Sequence, residues 1–390
     1  YQFIVRNTNA IFNKIKMKRR PSWLMRKMNA KKGKVRGGLT FNCQVLDDNN
    51  VIVERVTSSK PTGEALSLLQ GLGIDLVSSK MATVNICIYY RLLEKMQNNK
   101  MVFGSLIPRR VVKLIRSIGN SQCSDSMDWD RIPRKIREAM FPFQKDGICM
   151  SIQKYGGRVL IADDMGLGKT IQAIGVAHYY KSNWPCLILC PSFLKLNWRK
   201  EFLQWTELTK EDIVLIKNGK QVIPKTAKIV IMSYGLLRNS ILQLKHLNFK
   251  TIIADEAHYM KNRKAARTKY ALELLHNAKT CILLTGTPMS NRPEECYTLV
   301  YALRPTYVGK WKEFVMRYCD AKHSLFGFDV SGKSNISELS YLLRKSCMIR
   351  RLKKNVLKDL PNKLRSQIIV QLTNAEMKHM QPLQKRMDVI

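Results

Sequence analysis

The sequence predicts an α/β fold: a parallel sheet with helices on both faces, preceded by a small α+β module. Three observations carry this expectation. From about residue 140, five short apolar runs alternate with stretches of helical spacing. Polar, glycine-bearing motifs fall directly after those runs. Upstream, residues 38–118 hold shorter strands and helices of more balanced composition. Continuous apolar strands separated by helices mean a sheet buried on both faces, and ligands on such sheets bind beyond the carboxyl ends of the strands.

Residues 1–37 read as a basic arm, since positions 1–40 carry twelve basic residues and no acid, densest in KIKMKRR (14–20) and KKGKVR (31–36). A solvated tail, an import signal and a phosphate-binding tail all fit such a block. In 38–118, FNCQVL and VIVERV flank the turn DDNN as strands, while ALSLLQGLG, YYRLLEKMQ and VVKLIRSIG have helical spacing. Residues 119–138, polar and proline-containing, read as a linker. Residues 139–369 form the main domain, with strands RVLIA (158–162), CLILC (186–190), KIVIM (228–232), TIIA (251–254) and CILLT (281–285). Helices are expected over 169–180, 194–205 and 264–276, and residues 370–390 lead out of the domain.

The chain has 390 residues, 67 Lys+Arg and 29 Asp+Glu, and the difference is a net charge of +38. Hydrophobic residues make up 45%, enough for a core, so wholesale disorder is excluded. The charge calls for a polyanionic partner, nucleic acid ahead of an anionic membrane surface. No apolar run approaches the ~20 residues of a membrane-spanning helix, so no membrane partner is expected. The ten cysteines include no C-x-x-C pair, and CLILC reads as a buried strand holding two free thiols.

The stretch Asp163-Asp164-Met165-Gly166-Leu167-Gly168-Lys169-Thr170 follows a strand and opens a helix. Glycines let backbone N–H groups converge on phosphates, a lysine reaches the β/γ-phosphates, and a hydroxyl meets Mg²⁺. The standard G-x-x-x-x-G-K-[ST] spacing would put a glycine where this chain has Asp163. Asp255-Glu256-Ala257-His258 ends the strand TIIA. Asp255 is placed to hold Mg²⁺ and Glu256 to polarise a water. Thr285-Gly286-Thr287-Pro288 ends another strand; it suits sensing of a γ-phosphate, and equally an ordinary strand-to-helix turn. Gln144, in Phe141-Pro142-Phe143-Gln144, can pair with an adenine edge, although the residues alone favour a surface glutamine.

In this order the motifs resemble the SNF2 group of superfamily 2 DNA-dependent ATPases over residues 139–369, through DDMGLGKT, DEAH, LTGTP and MIRRLKKNVLKDLPNK (348–363). RYCDAK (317–322), GFDVSG (327–332) and SNISEL (334–339) resemble the annealing-helicase subfamily, and 38–118 resembles a HARP domain through YYRLLEKM and SLIPRRVVKLIRS. The resemblance implies a RecA-like first helicase lobe. It implies ATP and Mg²⁺ held by Gln144, Asp164, Met165, Gly166, Leu167, Gly168, Lys169 and Thr170, with the metal at Thr170 and Asp255. Catalysis falls to Lys169, Asp255 and Glu256; coupling to Thr285, Gly286, Thr287, Arg350 and Arg351; DNA contact to Pro191, Ser192, Phe193, Ser233 and Tyr234. It further implies a nuclear protein acting on branched or fork DNA in replication-fork remodelling and repair, with a single-strand-binding protein as a possible partner.

The chain begins at Tyr1 and stops at Ile390, where the resemblance would continue into a second lobe. A fragment is therefore expected, and one with little turnover of its own, because an arginine finger from the missing lobe contributes roughly 10³–10⁵ in rate. Two other readings remain at this level: a non-catalytic nucleic-acid-binding fragment, and an RNA-directed superfamily 2 helicase. The basic run Arg344–Lys358 is either a solvated helix face or a segment coupling the lobes.

Overall fold

The computed structural model describes residues 40–47, 50–55, 67, 69–76, 81–86, 89, 102–105, 107–118, 127–288, 292–324 and 327–356. The arm at 1–37, most of YYRLLEKMQ, residues 119–126 of the expected linker, Lys358 and the segment 370–390 lie outside the described residues.

The small module is built on β1 (Thr40–Val45), β2 (Asn50–Arg55), β3 (Met81–Asn85) and β4 (Val102–Ser105), followed by α1 (Arg109–Ile118). Asp47 tightens the β1–β2 turn, its carboxylate accepting the Asn50 backbone N–H at 2.9 Å. The strand order is β3-β2-β1-β4, antiparallel except for the parallel β1–β4 pair. Alternation along β1 and β2 buries Cys43, Val45, Val51 and Val53. These four belong to one continuous hydrophobic cluster with Phe314, Tyr318, Leu339 and Leu342 of the main domain.

The described part of the expected linker carries two short helical elements. Trp129–Arg131 makes a single 3₁₀ turn and α2 (Arg134–Ala139) follows, with Met127, Ile132 and Ile136 buried. Three apolar side chains in a polar stretch are enough to fasten it to the domain.

The main domain then runs α3 (Pro142–Cys149), β5 (Arg158–Ile161), α4 (Lys169–Tyr179), β6 (Cys186–Cys190), α5 (Lys195–Trp205), β7 (Ile213–Leu215), β8 (Ile229–Ser233), α6 (Leu237–Leu247), β9 (Thr251–Ala254), α7 (Ala266–Asn277), β10 (Thr280–Leu284), α8 (Glu294–Leu303), α9 (Trp311–Tyr318), β11 (Lys322–Ser324), β12 (Gly327–Asp329), α10 (Ile336–Ser346) and β13 (Met348–Ile349). Seven strands form one sheet in the order β13-β5-β10-β9-β6-β8-β7, every pair parallel. The α/β expectation is met. Strands β6, β8, β9 and β10 are buried throughout. Their side chains divide by parity: Leu187 and Leu189 join one cluster, Cys186, Ile188 and Cys190 the other. Helices α4 and α5 cover the second cluster, and α6, α7 and α8 cover the first.

The basic run Arg344–Lys358 is not one helix face. It divides into the end of α10, the strand β13 and, from Lys353 to Val356, a separate helical turn. Arg350 and Arg351 follow β13, which pairs with β5 at the sheet's edge. Seven of the described cysteines, Cys43, Cys186, Cys190, Cys281, Cys296, Cys319 and Cys347, are buried free thiols. Among the described residues no helix is long and apolar enough to cross a membrane.

Candidate functional site

The loop from Ala162 to Gly168 leaves the carboxyl end of β5 and delivers Lys169 to the first position of α4. Gly166 and Gly168 have φ of 83° and 70°, the left-handed region that a side chain resists. A Cβ on Gly168 would also collide with the Gln144 amide nitrogen. Gln144 is buried, which corrects the surface assignment made from the residues alone. Its Nε2 donates to the Leu167 carbonyl at 3.1 Å, and its Oε1 accepts the Phe141 N–H at 3.0 Å. Leu167 packs inward, whereas Met165 at the tip is 72% exposed. Thr170 is half-buried on the first turn of α4.

Lys169 Nζ donates to the Asp163 carbonyl at 3.0 Å and reaches that of Asp164 at 3.4 Å. Burial holds its pKa below the ordinary lysine value, against the opposing pull of Glu256, Asp163, Asp255 and Asp164. Two strands away, Asp255 continues the β9 ladder, its N–H donating to the Leu189 carbonyl at 2.7 Å. Its Oδ2 accepts the Trp198 indole N–H and its Oδ1 the Glu256 backbone N–H, both at 2.8 Å. Burial pushes the Asp255 pKa up, and these two donors oppose it. Glu256 turns the chain with φ of 45°, and its carboxylate lies 3.1 Å from His258 Nδ1. That nitrogen is 3.4 Å from Thr285 Oγ1, which accepts the Thr287 N–H at 3.2 Å. A Cβ on Gly286 would stand 2.9 Å from Met165 and 3.9 Å from Lys169 Nζ. The ends of β5, β9 and β10 therefore meet around one point.

Magnesium takes few protein ligands, usually one or two carboxylates besides phosphate and water. Each Asp255 oxygen accepts one N–H and keeps lone pairs free, so the residues fit such an ion. Among the described residues no cluster of three or more His, Cys, Asp or Glu exists to cage a metal outright.

The expected DNA-contact residues divide. Ser192 is exposed and Phe193 is 76% exposed on a short turn before α5, while Pro191 is buried. Ser233 and Tyr234 are buried, and Tyr234 donates its hydroxyl to the Asp255 carbonyl at 2.8 Å and stacks on Tyr259. A cleft of about 370 Å³ opens beside them, lined by Tyr234, Gly235, Arg238, Ala265, Ala266 and Arg267. Arg350 Nη1 donates to the carbonyls of Ala162 and Gly286 at 3.2 and 3.4 Å, and Arg351 pairs with Asp163.

Sequence reasoning missed Trp198 and the structural role of Asp163. The signal for Trp198 was available: a buried indole has one N–H that needs an acceptor, and the acidic strand end is an obvious supplier.

A family model described as the SNF2-related domain matches residues 77–389. The SWI/SNF-related matrix-associated actin-dependent regulator of chromatin subfamily A-like protein 1 of Xenopus laevis is 41% identical over 290 residues, 72% of this chain and 30% of its own length. The DNA annealing helicase and endonuclease ZRANB3 of Homo sapiens is 43% identical over 261 residues, 64% of this chain and 24% of its own. The chain thus spans less than a third of the length of these curated relatives. Among solved structures, the Sulfolobus solfataricus SWI2/SNF2 ATPase core in complex with dsDNA matches at a TM-score of 0.48 and 24% identity, covering 69% of this chain and 56% of that one.

Proposed function

This chain belongs to the SNF2-related family, and on that premise we propose that it is the first motor lobe, with its N-terminal module, of an ATP-dependent DNA translocase of the annealing-helicase type. The observation that carries the reading is the meeting of Lys169, the Asp255–Glu256 pair and Thr285 at the carboxyl ends of three neighbouring strands.

The backbone N–H groups of Gly166 to Lys169 and the amino end of α4 receive the phosphates. Lys169 exchanges the carbonyls of Asp163 and Asp164 for phosphate oxygen, and Gln144 meets adenine at the loop's flank. Thr170 and Asp255 would hold Mg²⁺, which supplies charge neutralisation between the phosphates. Glu256, aimed by its left-handed backbone, orients the attacking water. His258 bridges Glu256 to Thr285, so a change at the cleaved phosphate reaches Thr285, Gly286 and Thr287. Arg350 touches the Gly286 carbonyl and is the neighbouring coupling residue, with Arg351. Arginines that steady the transition state belong to the second lobe of the family.

Exposed Ser192 and Phe193, the buried Pro191 that shapes their turn, and the cleft flanked by Arg238 and Arg267 support a DNA path along this edge. Tyr234 lines that cleft, and Ser233 precedes it at the end of β8. The module at 38–118 recognises DNA structure and the arm adds non-specific affinity. The substrates are branched or fork DNA, the setting is the nucleus, and a single-strand-binding protein is a fitting partner.

In a two-lobed protein carrying this chain, Lys169→Ala abolishes ATP turnover with DNA affinity retained, and Glu256→Gln keeps nucleotide affinity while stopping turnover. Wild-type turnover in Lys169→Ala sinks the reading.

A further inference from the structure

Phosphate loops of the standard spacing open on glycine, but here the position holds Asp163, whose side chain is fully buried. Its φ is not positive, so the backbone makes no demand for glycine there. The carboxylate is instead saturated with donors. Oδ1 accepts the Arg351 backbone N–H at 2.9 Å and Arg351 Nε at 3.1 Å. Oδ2 faces Arg351 Nη2 at 3.1 Å and accepts Gln172 Nε2 at 3.2 Å. Gln172, buried on α4, returns its Oε1 to Arg351 Nη2 at 3.0 Å. The Arg351 carbonyl accepts the Asp164 N–H at 3.0 Å. Helix α3 approaches closely enough that a Cβ on Gly147 would strike both Gln172 Oε1 and Arg351 Nη2. The guanidinium also lies 5.4 Å from the centre of the Phe143 ring.

Asp163 therefore has two ends with different owners. Its carboxylate belongs to Arg351, 188 residues away. Its carbonyl holds the amine of Lys169. The planar guanidinium fork fixes direction as well as charge, which a point-charge ammonium does not.

We propose that Arg351 is a positioning residue of the nucleotide site: through Asp163 it sets the start of the phosphate loop and the resting place of Lys169, so the segment leaving the sheet after β13 controls the loop's grip on the triphosphate. This rests on the nucleotide-binding reading above and adds to it a route by which movement of that segment reaches the site without crossing the sheet. Displacing the segment drags Asp163 and, with it, the carbonyl that Lys169 must release.

The test uses a two-lobed protein with three variants. Arg351→Gln strands the buried carboxylate and lowers the melting temperature. Asp163→Asn with Arg351→Gln removes both charges and recovers melting. Arg351→Lys keeps the charge and loses the fork. In the last two, KM for ATP and the Kd of a fluorescent ATP analogue rise by about 10- to 100-fold, as for the loss of one charge-assisted hydrogen bond to phosphate, while DNA affinity holds. Wild-type KM in either of these variants overturns the proposal and leaves the pair as a purely structural brace. Failure of the underlying reading is separate: it appears as turnover surviving Lys169→Ala.

Discussion

Replacing Arg317 by methionine removes one side of the best-enclosed ion pair among the described residues. Arg317 is 8% exposed and Glu338 is 0% exposed. Glu338 Oε1 accepts Arg317 Nε at 3.0 Å and the Tyr318 hydroxyl at 2.9 Å. Its Oε2 accepts Arg317 Nη2 and, at 3.4 Å, the backbone N–H of Val45 on β1. Arg317 Nη2 also donates to the Cys43 carbonyl at 2.7 Å. The variant leaves a buried carboxylate with one hydroxyl and one long N–H, and a β1 carbonyl without its donor. Breaking a buried pair from one side costs about 3–5 kcal/mol. At roughly 2–4 °C per kcal/mol for a domain of this size, 4 kcal/mol lowers the melting temperature by about 8–16 °C. Thermal and urea unfolding measure it, and hydrogen exchange at Val45 localises it. The double variant Arg317→Met with Glu338→Leu removes both charges, and it recovers most of the loss or exceeds wild type, as apolar replacement of buried pairs often does. A single variant within about 1 kcal/mol of wild type would refute the reasoning. So would a double variant as unstable as the single.

Three further outcomes are expected. Trp198→Phe keeps the ring and deletes the N–H on Asp255, so the Mg²⁺ concentration for half-maximal turnover rises by about tenfold, the lower end for removal of an outer-shell partner; an unchanged Mg²⁺ curve means the indole only packs. Burial pushes the thiols of Cys43 and Cys190 up to about 12 and those of Cys281 and Cys347 up to about 11. Iodoacetamide at pH 8 spares all four in the native protein, and mass spectrometry finds them labelled only after unfolding. Deleting 1–36 flattens the salt dependence of DNA binding, the slope falling by about 0.9 for each phosphate that the arm neutralises; an unaltered slope makes the arm a bystander.

The strands that carry the site were legible because each is a continuous apolar run, and every one lies within a residue or two of its expected bounds. The two edge strands were not. β7 has three residues and β13 two, and a pair of residues has no periodicity to read. The glycine-bearing loop before α4 and the acid pair were legible because their chemistry is local. The partners that hold them come from far along the chain, Arg351 for Asp163 and Trp198 for Asp255, and no spacing rule connects them. Gln144 was misjudged by residue type: a polar side chain at a helix start looks solvated until the loop that covers it is known.

The hydrophobic cluster that runs unbroken from β1 and β2 into α9 and α10 makes the small sheet a lid over the main domain's own interior. A protein trimmed to begin at the ATPase motifs would strip β1 and α1 from α10 and leave an ion pair whose strand partners were gone. Such a truncation is expected to be sticky and poorly soluble for reasons unrelated to nucleotide or DNA. Loss of activity on trimming the module would then report an opened interior rather than a missing recognition surface, and surface substitutions on the outer face of β2 and β3 are the cleaner way to ask whether that module reads DNA.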